Sequence, residues 1–224
     1  MSRATDQASG MHAMFRFAFA IVMLWPIGAI AQDCTPSSLQ RELLQRKEAD
    51  QTARKTLAVS SQSEEALNET LRIDAENTTY MRAVLEKCGW PRKSAVGEQA
   101  AKAAWLLTQH ADMDPQYQVL ATQQLKYAVL GKKAEPWDLA VLVDRNRRLT
   151  NQPQVYGMQF FTLPDSTIRF YDIVTPSKLD ARRKEIGLPP FYCWALEISS
   201  ENGHASIDWP AGVLLTPQEC PNAP

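Results

Sequence analysis

Residues 103–115 read Ala103-Ala104-Trp105-Leu106-Leu107-Thr108-Gln109-His110-Ala111-Asp112-Met113-Asp114-Pro115. An apolar run at helical spacing stops in a histidine, two aspartates and a proline. The alanines let a neighbouring helix approach closely, while Trp105, Leu106 and Leu107 fill space. Asp114 before Pro115 marks a fresh start, with Asp114 as N-cap and Pro115 in the first helical position. The stretch therefore predicts two consecutive helices joined at a tight polar corner.

The residues upstream predict more of the same. Pro36-Ser37-Ser38 opens a first helix that carries Leu39, Leu43 and Leu44 on one face and runs through Arg54. Val59-Ser60-Ser61-Gln62-Ser63 is the break. Ser61-x-x-Glu64 is a capping-box pattern for a second helix, along which Leu67, Leu71, Thr78, Met81 and Leu85 recur. Gly89 stops it, with Pro91 just beyond. The two helices are expected to form an antiparallel hairpin. A third helix is predicted from about Val96 to Ala111, a fourth from Pro115 to Gly131, and a fifth after Pro136 with Leu139, Leu142 and Val143 inward.

The pattern changes after Asn151-Gln152-Pro153. Tyr156 to Leu163 and Ile168 to Val174 read as strands around the turn Pro164-Asp165-Ser166. Leu179 to Ile186 reads as a short helix ended by Gly187. Tyr192 to Ile198 and Ala205 to Trp209 read as a second hairpin. The fold class expected is α+β, predominantly helical, with about five helices followed by small antiparallel β-hairpins.

The N-terminus adds a compartment. Arg16, the apolar run Phe17 to Ile30 and the Ala29-Ile30-Ala31 site have the layout of a secretory signal peptide. Pro26 and the length of the run argue against a transmembrane span. Met14 would make a tidier start than Met1. No lipid-attachment pattern precedes Cys34. Three parts are expected: a signal peptide over 1–31, a helical core with a β-hairpin over 32–190, and a disulfide-flanked C-terminal hairpin extension over 191–224. Cleavage after Ala31 leaves 22 basic and 24 acidic residues and no basic stripe, which excludes nucleic acid as the expected partner. Membrane association after cleavage is not expected either; the partner left open is a small ligand or another protein.

Cys34, Cys88, Cys193 and Cys220 all lie beyond the signal-like segment. An even count in an exported chain reads as two disulfides in the periplasm or outside the cell. Three pairings are open. Cys34–Cys88 and Cys193–Cys220 are favoured, because each joins the ends of one structural unit.

The helical core resembles an uncharacterised bacterial domain family of unknown function. The likeness rests on Asp50-Gln51 with Arg54, Asp74 with Asn77-Thr78, Gly89-Trp90-Pro91, Gly97, the 103–115 stretch, Leu139-Ala140 with Asp144-Arg145, Gln154 with Tyr156-Gly157 and Gln159, and Asp180 with Arg182-Arg183 and Gly187-Leu188-Pro189. It covers roughly residues 40 to 190. Met158 stands where the family pattern has threonine. The resemblance implies a fold and assigns no activity.

The chemistry-bearing constellation is His110 with Asp112 and Asp114. A carboxylate beside an imidazole orients the ring and raises its pKa, which suits a general acid or base near neutral pH. On that reading His110 and Asp112 transfer protons in a hydrolase or lyase. Trp90, Asp114, Arg145, Tyr156 and Gln159 would line the ligand. The plainer reading makes the chain a binding or structural module. There His110 caps the third helix, Asp114 caps the fourth, and Asp112 pairs with an arginine. Asp74 and Asn77, polar on an apolar face, cap a loop or line the site. One histidine with nearby carboxylates is thin for zinc, and two aspartates supply too few oxygens for calcium, so no metal is expected. No cofactor motif appears: there is no G-x-S-x-G serine elbow and no phosphate-cradling glycine loop.

Overall fold

A computed structural model describes residues 32–215 and residue 220; the expected signal peptide lies outside the described residues. Helices dominate, as the apolar periodicity requires. α1 (Pro36–Val59) and α2 (Glu64–Cys88) form the expected hairpin. The turn between them differs in detail from the capping-box expectation. Ser61 and Gln62 both take positive φ, and it is the Ser63 hydroxyl that accepts from the Ala66 N–H at 3.3 Å. Disulfide Cys34–Cys88 closes the other end of the hairpin.

The single third helix expected over Val96–Ala111 is two: α3 (Lys93–Val96) and α4 (Glu98–Gln109). Gly97, at φ +83°, breaks the run with a backbone conformation that a side chain would strain. α5 (Pro115–Leu130) and α6 (Pro136–Leu149) start at their prolines. Leu43, Met81, Leu85, Leu107, Tyr117, Leu125 and Leu142 are fully buried in the core that α1–α6 share. Each contributes roughly 1.5–3 kcal/mol by leaving water.

A second core forms around a small mixed sheet. β1 (Phe160–Thr162) pairs antiparallel with β2 (Ile168–Phe170), and β3 (Ile207–Asp208) pairs parallel with β2. A 3-10 turn (Pro176–Lys178) leads into α7 (Leu179–Glu185), followed by α8 (Phe191–Glu201). The second hairpin expected in the tail is therefore replaced by a helix and a lone parallel strand. Phe191, Trp194, Ala195 and Ile198 recur at helical spacing and are all buried, and that burial outweighs the strand preference of the aromatic residues. Asp180 fixes the start of α8 by accepting the Phe191 N–H at 2.7 Å. Disulfide Cys193–Cys220 then ties the tail back to α8. No helix among the described residues is long and apolar enough to cross a membrane.

The expected strand Tyr156–Leu163 shrinks to three residues for a definite reason. Asp144, completely buried on α6, accepts the N–H groups of Val155 (2.6 Å), Tyr156 (3.1 Å) and Met158 (2.9 Å). Those donors are then lost to any β-ladder.

Candidate functional site

Asp50 and Arg54 stand one turn apart on α1, so they share a face. Asp74 comes from the facing part of α2. His110 is the residue at which α4 ends; its N–H still bonds the Leu106 carbonyl, while the chain turns away toward α5. The four side chains meet. His110 Nδ1 lies 2.8 Å from Asp50 Oδ1 and 3.0 Å from Arg54 Nε. Arg54 also reaches Asp50 Oδ1 (Nε, 3.3 Å) and Asp74 Oδ1 (Nη2, 2.6 Å). Gln51 Nε2 donates to the other Asp50 oxygen at 2.7 Å.

Burial is graded across this group. Side-chain exposure is 1% for Asp50, 14% for Asp74, 17% for His110 and 32% for Arg54. Burial alone would push the Asp50 carboxyl up, but hydrogen bonds from His110 and Gln51 and the charges of His110 and Arg54 hold it below the ordinary value. Asp74 goes the other way: burial raises it, and Arg54 only partly offsets the effect.

His110 and Asp74 also line a cleft of about 340 Å³, with Leu71, Thr78, Met113 and Asp114. No hydrogen bond among the described residues engages His110 Nε2. A buried carboxylate thus orients the ring through one nitrogen at the wall of the cleft. That arrangement can accept or donate a proton, or hold a ligand by one directed hydrogen bond.

The remaining residues singled out from the sequence separate. Asp112 is not the partner of His110; it forms a two-pronged pair with Arg145 on α6, at 3.0 and 2.5 Å. Asp114 caps α5 through the Tyr117 N–H at 2.9 Å and pairs with Arg82 at 2.5 Å, while lining the edge of the cleft. Trp90 is buried beside a different cleft, of about 270 Å³, with Lys93, Lys102, Glu135 and Asp138. Tyr156 and Gln159 belong to the loop gathered by Asp144. Gln154 clamps that loop, donating to the Gln159 and Tyr171 carbonyls and accepting the Gln159 N–H. Arg182 reaches the Val155 and Val174 carbonyls. Arg183, wholly buried, donates to the Pro189 and Tyr156 carbonyls, and burial pulls its pKa down to about 10. These residues hold backbone.

Fold and site together define a helical domain with two disulfides, one loop built on buried charge, and one histidine-centred cleft. The chain belongs to a family of unknown function (DUF6624), whose model matches residues 37–201, from the start of α1 to the end of α8. No curated protein and no solved structure matches it.

Proposed function

We propose that the chain is an exported binding module, and that the cleft between α2 and the α4–α5 corner holds a small ligand against His110. The observation that carries this reading is the Asp50–His110 contact of 2.8 Å beside a cleft of about 340 Å³. A cleft lined by an imidazole that a buried carboxylate orients is a candidate binding site. Export is supported by the signal-like N-terminus and by the two disulfides.

The same contact favours a second reading, an acid–base enzyme of the hydrolase or lyase kind. In that case His110 transfers the proton and Asp50, rather than Asp112, positions the ring. Either reading needs small molecules to reach His110. The test is a fragment screen read by NMR on the His110 ring and the Met113 methyl. Binding is expected to move both signals in the wild type and to vanish in His110→Gln. Fragments that gather at the Trp90 cleft instead would overturn the placement. A tagged full-length chain recovered from the cytoplasm with residues 1–31 intact would overturn export.

A further inference from the structure

We propose that Asp50, Asp74 and His110 form a divalent-metal site, which Arg54 closes when no metal is bound. The proposal deepens the reading of the cleft: the metal would supply the group to which a cleft ligand binds.

The donor set is the first argument. One oxygen from each aspartate and one imidazole nitrogen all lie within 4.8 Å of one another. They come from α1, α2 and the end of α4, so packing rather than local sequence brings them together. Asp50 Oδ1 and His110 Nδ1 are 2.8 Å apart. Two ligands bound at about 2.1 Å are separated by about 3.0 Å at right angles and by about 3.4 Å at the tetrahedral angle, so this pair would open by a few tenths of an ångström to take an ion. Asp74 would close to the same range from within 4.8 Å.

The second argument is a conflict at Nδ1. An Arg54 N–H needs a lone pair there, whereas the Asp50 carboxylate needs a proton there. A single ring nitrogen cannot offer both, so with Nδ1 protonated Arg54 Nε is left only the longer contact to Asp50 Oδ1, at 3.3 Å. A metal ion resolves the conflict, because all three groups then present lone pairs to one positive centre. Arg54 stands in for that centre and is the most exposed member of the group, with 32% of its side chain accessible. It can swing to solvent without unpacking a helix.

Two carboxylate oxygens and one imidazole suit zinc or manganese better than a soft ion, and the set is too small for calcium. Three protein ligands leave coordination positions open, as in sites that act on a bound molecule. Asp74 and His110 both line the cleft, which places such positions within reach of its contents.

The test is calorimetric titration of the oxidised, untagged chain with zinc chloride and with manganese chloride. Wild type, Arg54→Met, Asp74→Asn and His110→Gln are compared after circular dichroism has shown each to be folded. Removing the competing guanidinium is expected to tighten binding at least tenfold. Asp74→Asn and His110→Gln are expected to weaken it at least tenfold. Cobalt substitution gives a second readout: a visible absorption band in Arg54→Met that is absent from Asp74→Asn. Equal affinity in Arg54→Met and wild type, or equal uptake by Asp74→Asn, would overturn the site. Fragment binding to metal-free protein would leave the cleft reading standing even then.

Discussion

Asp50 and His110 are separated by sixty residues in the chain and by 2.8 Å in the structure. The contact fastens the corner between α4 and α5 onto α1. Truncating the two residues should have unequal effects. Asp50→Ala takes the buried acceptor from Gln51 and His110 and leaves Arg54 with Asp74 alone, and is expected to cost about 3 kcal/mol. His110→Ala leaves Asp50 with two donors and should cost about 1 kcal/mol. Urea unfolding of both single variants and the double variant would check this, with an expected coupling of about 1 kcal/mol.

Acid dependence follows from the direction of the Asp50 shift. Its carboxyl is held low in the folded chain, which therefore binds fewer protons than the unfolded chain does. The stabilisation is complete above the unfolded value of about 4 and fades as pH falls through the folded value. Asp144 has the opposite sign. Burial raises its pKa more than its N–H donors lower it, so its contribution declines as pH climbs from about 4 through the folded value. Asp50→Asn should flatten the acid limb of a urea-midpoint profile, and Asp144→Asn should flatten the decline above it.

Asp144→Ala would strand the N–H groups of Val155, Tyr156 and Met158 in a buried place. The expected cost is roughly 3–5 kcal/mol. Amide hydrogen exchange should accelerate across 155–158 while the amide of His110 keeps its protection.

Gly157 lies within that loop at φ +71°, and a Cβ there would come within 2.8 Å of the Phe191 ring. Phe191 is completely buried. Gly157→Ala should therefore cost roughly 2–4 kcal/mol, part backbone strain and part overpacking. A thermal melt gives the answer directly. A cost below 1 kcal/mol would mean that α8 can shift.

Replacing Cys34 and Cys88 together with serine opens a loop closed across 54 residues. Chain-entropy reasoning sets the loss at about 4 kcal/mol. The melting temperature of the variant should match that of the wild type once the remaining disulfide is also reduced in both.

Much of the helical half was legible because its signals are local. Pro36, Gly89, Asp114-Pro115, Gly131 and Pro136 each mark an element boundary through their own backbone chemistry, and the structure places the ends of α1, α2, α5 and α6 beside them. Two failures share a cause. Tyr192 to Ile198 is rich in strand formers, and Tyr156 to Leu163 is rich in aromatic and apolar residues. In both, distant residues decide: Asp180 and the second core for the former, Asp144 for the latter. The site was half visible for the same reason. His110 stood out at its corner, but Asp112, two residues away, looked like its partner. The true neighbour lies on α1, and nothing in the sequence around His110 points to it. Asp74 did carry a signal, as a carboxylate on an apolar helix face.

The α1–α2 hairpin is a closed ring, joined by the Ser60–Ser63 turn at one end and by Cys34–Cys88 at the other. A strip fastened at both ends bows most at mid-span. Asp50 on α1 and Asp74 on α2 lie near the middle of their helices. There Arg54 reaches both carboxylates, so the ring is laced across the place where an open strip would bow.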